Sequence, residues 1–542
     1  MKILVVSLLR LGDLVMQTPS LSALRKLYPR AEIHLLTNDS NKGIVPLLPF
    51  IQKTHYFPRQ LLQLSQGEIQ IPTLWGHNHL QSFMAEVNAN NYTYVINLTH
   101  NKLSGHLMDL IKASDKEGLV IAANQRPTFG SRWFRYLNNI STTYSRHKFH
   151  LSDVYQWSTS AQENEPAYLV PTVEGEAEAA EILKNLSDKK PILALQTQTS
   201  DAKKNWRATH WMTLIRNVLK HQPGYQIVML GSPAEKPELE KIKALLGEQQ
   251  DSVRIVTPQL AGAFSLLKRT KYLISVDTSI KHMGAAAGAK IIELALGSSD
   301  LQSTGAYTDG AYIIKSKEAC SPCHHSSICH REQHLCSATV SPQLVYGIFS
   351  ALVNADITGI QHLAQEFSEQ AEVFVTSMGG EFWTVNKLSH ENYAVERAVE
   401  LTAWKHLFTT SDRHNIDTYG SLGYKLGVQM KKENLTSSNL SEGEERLRKE
   451  QSLVLSLKLH IEREFKTATG SAQIFKSRIL DRLIEAENIL QSGPIFSYLI
   501  NEKNEDSFSL ARALITQATD TLDLYQVQNR IIRNFDTSME AE

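Results

Sequence analysis

Short, wholly apolar segments, each closing on polar or glycine-bearing residues and followed by a helix pattern, recur from the first residues to about residue 300. Ile3, Leu4, Val5 and Val6 form the first, and Gly12 soon follows. In LVMQTPSLSALRKLYP, Leu14, Leu21, Leu24 and Leu27 then share one helix face. AEIHLLT alternates and ends in Asn38, Asp39 and Ser40, which completes a βαβ unit. YVINL at 94–98 and LVIAA at 119–123 are expected as further strands, carrying the pattern to about residue 165. Wholly apolar strands are those buried on both faces, so the fold class is α/β with parallel sheets covered by helices.

The pattern restarts after Pro171. Helix EGEAEAAEILKNL leads to strand PILALQ, and strands QIVMLG, RIVTP, YLISV and KIIELALG follow, the first three separated by helix patterns. Two successive Rossmann-like domains are predicted, 1–165 and 166–360, joined near the polar stretch SAQENEP. From 361 to 542 strand signals nearly vanish. Leu453, Leu457, Ile461 and Phe465, then Phe475, Ile479 and Leu483, recur every four residues, so an α-helical module is predicted. Ser441 and Glu444 have capping-box spacing at one of its helix starts.

Bulk charge argues against a nucleic-acid partner, because lysine plus arginine and aspartate plus glutamate number 56 each. The opening apolar run is interrupted by Ser7 and Arg10, and no small-residue cleavage site follows, so it reads as a buried strand rather than a secretory signal. No stretch approaches the roughly 18 apolar residues of a spanning helix. A cytoplasmic protein is expected, with contact to the inner-membrane surface compatible with these features.

Chemistry concentrates at strand ends, where open α/β sheets bind ligands. YLISV ends at Asp277, and a helix bearing Gly284, Ala285, Ala286, Ala287 and Gly288 begins just beyond it. Its amino terminus suits a phosphate; Thr278 and Ser279 add hydroxyls, and His282 lies one turn in. Asp277 serves equally well as a plain N-cap on spacing alone. PILALQ runs into TQTSDAKKNW, where Thr199, Ser200, Lys203 and Lys204 bring hydroxyls and positive charge to the same edge. After QIVMLG, Glu235 can hold ribose hydroxyls. Asp13, at the exit of the first strand, can either take a proton from a hydroxyl or cap the next helix.

RLGDLVMQTPSLSALRKLYPRAEI, HLSDVYQW, TSDAKKNW, LGSPAE and above all VDTSIKHMGAAAGAKIIELALG resemble, in order, glycosyltransferase family 9, the ADP-heptose:lipopolysaccharide heptosyltransferases. The resemblance covers roughly residues 1–355. It implies a GT-B fold and inverting, metal-independent transfer from a nucleotide-sugar donor, ADP-heptose favoured, to a hydroxyl of a glycolipid or oligosaccharide acceptor such as lipopolysaccharide core. No cofactor is then required for catalysis. Asp13 becomes the general base and Lys204, in a Lys-x-Trp context before Trp206, a phosphate contact with Thr199 and Ser200 beside it. Asp277, Thr278 and His282 match the family's donor-holding element, and Glu235 matches a ribose contact. Ser279 stands where the family often has glycine, which restricts backbone approach to phosphate. The long tail is a second departure.

Cys320, Cys323, Cys329 and Cys336 form C-x2-C-x5-C-x6-C, with His324, His325, His330 and His334 interleaved. Four thiolates so close suit structural zinc or an iron–sulfur cluster, although the second half of the spacing is not a paired CxxC. Reduced thiols that stabilise the fold beside the cleft are the favoured reading. Two competing functions stand beside the heptosyl reading: a transferase with another nucleotide sugar or acceptor, and a non-catalytic nucleotide-sugar sensor using the tail as an interaction module. Dinucleotide-dependent oxidoreduction is disfavoured, since no G-x-G-x-x-G follows the first strand.

Overall fold

The computed structural model describes residues 1–59, 73–124, 127–140, 149–159, 164–324, 326–329, 334–378 and 382–389, together with Leu401, Lys405, Ser452, Leu455 and Leu459. The chain divides into two compact units, one of Met1–Asn138 with Phe149–Ser389 and the other of Asn139–Lys148 with His390–Glu542.

In the first unit, β1 (Lys2–Ser7), β2 (Glu32–Asn38), β3 (Ile51–Phe57), β4 (Tyr92–Asn97) and β5 (Ala113–Gly118) make a parallel sheet in the order β3-β2-β1-β4-β5. The apolar run Ile3–Val6 is buried because β1 is central and covered on both faces. Strand order reverses between β1 and β4. That switch point leaves a crevice at the carboxyl end of β1, and α1 (Leu11–Met16) starts there. The expected strand LVIAA contributes only Val120–Ile121, as β6, to a small antiparallel hairpin with β7 (Pro127–Thr128). The sheet edge is taken instead by the polar ASDKEG segment of β5. A strand paired on one side tolerates such charges, and Tyr94 on β4 donates its hydroxyl to Glu117 at 2.6 Å.

The second sheet has the order β10-β9-β8-β11-β12-β13-β14-β15. Its parallel part comprises β8 (Ile192–Gln196), β9 (Gln226–Leu230), β10 (Val253–Val256), β11 (Thr270–Val276), β12 (Lys290–Ala295) and β13 (Tyr312–Ser316). Order reverses between β8 and β11, giving a second switch point. β14 (Ala371–Ser377) and β15 (Thr384–Lys387) then add to the sheet antiparallel. These strands fall inside the stretch expected to be helical from 361 onward. β14 mixes buried and half-buried residues, with Val373 and Phe374 buried in succession, and so short a strand is easily lost beside long helical patterns. The amphipathic faces at 453–465, 475–483 and 510–514 lie outside the described residues; the five described residues beyond 390 are helical. Among the described residues no helix is long and apolar enough to cross a membrane.

The two sheets are tied through the helix Leu151–Ser158, which is buried along its whole length and packs on α2 (Thr18–Leu27). Asp153 accepts the Tyr307 hydroxyl at 2.6 Å on one oxygen and the Trp383 backbone N–H at 2.8 Å on the other. His150 bonds the Gly305 carbonyl at 2.9 Å, and its ring lies 4.7 Å from those of both Tyr307 and Trp383. A buried carboxylate with these donors cannot be truncated without leaving them unsatisfied. Asp153→Ala should therefore cost about 3 kcal/mol, read as a lower midpoint in chemical denaturation; an unchanged midpoint would show that water replaces the carboxylate freely.

Candidate active site

At the first switch point the Asp13 carboxylate folds back to accept the Arg10 backbone N–H at 3.2 Å, so this residue both braces the start of α1 and faces the crevice. Burial pushes its carboxyl up to about 6, against the opposing effect of Arg10, with the nearby Asp277 charge adding to the rise. α1 packs on the helix Ser279–Ala287 from the other sheet. Gly12 faces that helix, where a Cβ would meet the His282 ring at 3.4 Å and Ser279 Cα at 3.6 Å, ordinary contact distances. Asp13 is thereby carried to the mouth of the second switch point.

Asp277 ends β11 and Thr278 caps the following helix, its hydroxyl oxygen accepting the Ile280 N–H at 3.0 Å. Gly284 lets that helix lie close on β11, since a Cβ would come within 2.4 Å of Leu273. Gly288 ends it in the left-handed region at φ 81°. Across the switch point the loop after β8 turns through Ala202–Lys204, with Asp201 capping and the Thr199 hydroxyl oxygen accepting the Asp201 N–H at 3.0 Å. Trp206 anchors the exit by donating its indole N–H to the Val340 carbonyl at 2.9 Å. Lys204 then reaches Asp277 Oδ2 at 2.6 Å.

Asp277 is doubly paired. Its other oxygen takes the Lys281 ammonium at 2.6 Å, and Lys281 also donates to Glu293 at 2.7 Å and to the Thr304 carbonyl at 2.7 Å. Burial raises the Asp277 carboxyl, but Lys281 and Lys204 outweigh it and hold the group well below the usual carboxylate range. His282 is buried, and burial with Lys281 beside it keeps the imidazole neutral; its Nδ1 has no hydrogen-bond partner among the described residues.

Asp13, Lys204, Asp277, Thr278, Ser279 and His282 thus gather where α1, the Ala202–Lys204 turn and the Ser279–Ala287 helix meet. Thr199 serves the turn through its hydroxyl oxygen, while Ser200 is exposed beside it. Glu235 lies on the same carboxyl edge, after β9, with its carboxylate turned onto its own loop at the Ser232 N–H, 2.7 Å away. Lys203 points away from Lys204 and donates to the Ser327 and His324 carbonyls of the cysteine-rich segment. Lys281 and Glu293 were missed in the sequence. A lone carboxylate inside the buried strand KIIELA, and a lysine on a helix face otherwise filled by small and apolar residues, were the available signals.

Cys320, Cys323, Cys329 and Cys336 are not joined in disulfides, and they range from exposed Cys320 to buried Cys336. Burial pushes the Cys323 and Cys336 thiols up, and Cys320 adds to both. Among the described residues no group of three or more histidine, cysteine, aspartate or glutamate side chains is placed to hold a metal ion; His325 and His330 of the segment lie outside those residues.

A family model described as glycosyltransferase family 9 (heptosyltransferase) matches residues 80–333. This stretch is a glycosyltransferase family 9 domain. Asp13 lies before it, and Lys204, Asp277 and His282 within it. The fold is similar to that of ADP-heptose lipopolysaccharide heptosyltransferase II of E. coli, at 18% identity over 66% of this chain and 99% of that one, with a TM-score of 0.50. Other similar structures are a family 9 glycosyltransferase from Veillonella parvula (21% identity, 58% and 85% covered, TM-score 0.46) and E. coli heptosyltransferase WaaC with ADP-2-deoxy-2-fluoro heptose (18%, 54% and 88%, TM-score 0.41). No curated protein matches the chain. The architecture is GT-B, and the enzyme is a glycosyltransferase with a heptosyltransferase-like domain.

Gly297 shows how closely the Lys204 turn is packed. It has φ 59°, and a Cβ would stand 2.4 Å from the Lys203 carbonyl oxygen. Gly297→Ala should displace the turn and weaken binding of ADP about tenfold, measured by calorimetry; unaltered affinity would mean that the turn does not set the position of Lys204.

Proposed function

We propose that the enzyme moves a heptose or related sugar from ADP-heptose to a hydroxyl of lipopolysaccharide core or a similar glycan, with inversion and without a metal ion in the chemical step. The carrying observation is the placement of Asp13, its carboxyl raised to about 6, against the helix start that bears Asp277 and receives Lys204. On this reading the donor diphosphate lies between the Ala202–Lys204 turn and the amino terminus of the Ser279–Ala287 helix. Lys204, the Thr278 hydroxyl proton and helix N–H groups meet its charge, which grows as the bond from anomeric carbon to phosphate oxygen breaks and the electron pair leaves with ADP. The acceptor oxygen bonds to the opposite face of that carbon and its proton passes to Asp13. The unpartnered His282 nitrogen is available to the sugar. Glu235 holds the Ser232 N–H through Oε2, so Oε1 is the oxygen it can turn to ribose hydroxyls.

The cysteine-rich segment is read as a structural brace. The Cys323 N–H donates to the Gly297 carbonyl at 2.9 Å and Lys203 holds two of its carbonyls, so it buttresses the turn that presents Lys204. A cytoplasmic enzyme working at the inner-membrane surface fits a glycolipid acceptor.

Two outcomes test the proposal. ADP and ADP-heptose should raise the melting temperature above that with UDP and GDP counterparts; preference for a uridine donor would overturn the heptosyl assignment. A base must be ionised to act, so kcat/KM should rise with pH through about 6, and Asp13→Asn should lower turnover at least about 100-fold with ADP affinity kept. The same shift destabilises the fold. The folded carboxyl titrates near 6 against 3.8 for an unperturbed aspartate, so the penalty sets in as pH rises from about 4 to 6 and persists above. Asp13→Asn should therefore be more stable than the native enzyme at pH 7 and no more stable at pH 3.5.

A further inference from the structure

The position of Lys281 rules out ligand contact. It is wholly buried, and its three N–H donors are spent on Asp277 Oδ1, Glu293 Oε1 and the Thr304 carbonyl, at 2.6, 2.7 and 2.7 Å. Glu293 passes the connection on, accepting the Ala306 backbone N–H at 2.9 Å through its other oxygen. Asp277 passes it outward to Lys204, whose side chain is 21% exposed and whose described hydrogen-bond partner is Asp277 alone. The groups form a line of alternating sign: Lys204, Asp277, Lys281, Glu293. Each carboxylate touches Lys281, and Lys204 stands at the open end.

This order decides how much of the Lys204 charge an anion in the cleft can feel. Were Lys204 the sole counter-ion of a buried Asp277, the pair would be self-neutralised and its field at a phosphate would largely cancel. Lys281, shared between the two carboxylates, stands nearer to Asp277 than Glu293 does. Although the four charges sum to zero, Asp277 is therefore balanced from behind and the last negative charge lies one link farther from the cleft. Asp277 can then orient Lys204 by one short hydrogen bond without cancelling it.

We propose that Lys281 is a positioning residue for the transferase reaction: held by Glu293, it neutralises Asp277 from the protein interior so that Lys204 presents an effective positive charge to the donor diphosphate. This inference rests on the reading of Lys204 as a diphosphate contact. It adds a residue that touches no substrate and acts through two others.

Lys281→Met alone leaves two buried carboxylates without their shared cation and risks unfolding. The informative variant is Lys281→Met with Glu293→Gln, which removes one charge of each sign and keeps side-chain volume. It should fold, as seen by circular dichroism and a cooperative melt, and bind ADP about tenfold more weakly in calorimetry. Lys204→Met should also weaken ADP binding about tenfold or more. With Lys204→Met and Asp277→Asn added, so that no buried carboxylate is left without a cation, the quadruple variant should bind ADP no more weakly than Lys204→Met with Asp277→Asn, because the loss at Lys281 is transmitted through Asp277 and Lys204. A merely structural role predicts otherwise, with a further loss in the quadruple variant or normal ADP affinity in the double variant; either result overturns the inference while leaving Lys204 as a phosphate contact. Normal ADP affinity in Lys204→Met would overturn both.

Discussion

Asp277 sits between two ammonium groups, and much of the second half of the enzyme is arranged to make that tolerable. A carboxylate buried at the end of a central strand is costly unless every lone pair is met. Here Lys204 comes from the turn after β8, Lys281 from the next helix turn, and Glu293 from the neighbouring strand β12 balances the second lysine. The main-chain partners of this set, the Thr304 carbonyl and the Ala306 N–H, lie in the loop that leads to Tyr307. Tyr307 in turn bonds Asp153 on the helix between the two sheets. A connected set of ion pairs and hydrogen bonds therefore runs from the cleft to the joint between the halves.

Most of the fold was legible in the sequence for a definite reason. Strands of a parallel sheet are buried on both faces, so ILVV, ILALQ and YLISV stand out as unbroken apolar runs. Where burial is one-sided the signal faded. β5 is a charged edge strand and was passed over in favour of LVIAA, and β14 with β15 was hidden in a region read as helical. In the site, residues on strand ends and helix starts, Asp13, Lys204, Asp277, Thr278 and His282, were visible because their positions follow from the βα rhythm. Lys281 and Glu293 were not, since a helix interior and a strand interior carry no expectation of chemistry. Asp153 and Trp383, 230 residues apart, could not be paired by local pattern at all.

The placement of Asp13 sets two opposing effects on one carboxyl group. Its hydrogen bond to the Arg10 N–H fixes the carboxylate at the start of α1, while close packing against the Ser279–Ala287 helix leaves it half-buried and partly desolvated. Fixation and desolvation act on the same group in opposite directions, and desolvation wins. Ser279 faces Gly12 on that helix at distances that would leave ordinary contact even to a Cβ there.

The antiparallel pair β14–β15 changes what the second sheet exposes. Without it β13, whose Ile313 and Ile314 are fully buried, would present a long apolar rim with open backbone groups. With it the rim is β15, four residues long and ending in Lys387, whose ammonium bonds Glu372 at 2.6 Å; Glu372 also takes Lys315 at 2.9 Å from the strand beyond. A short, charged border of this kind gives a second chain little to pair with. The hairpin thus bears on the solubility of the enzyme at high concentration as much as on its architecture.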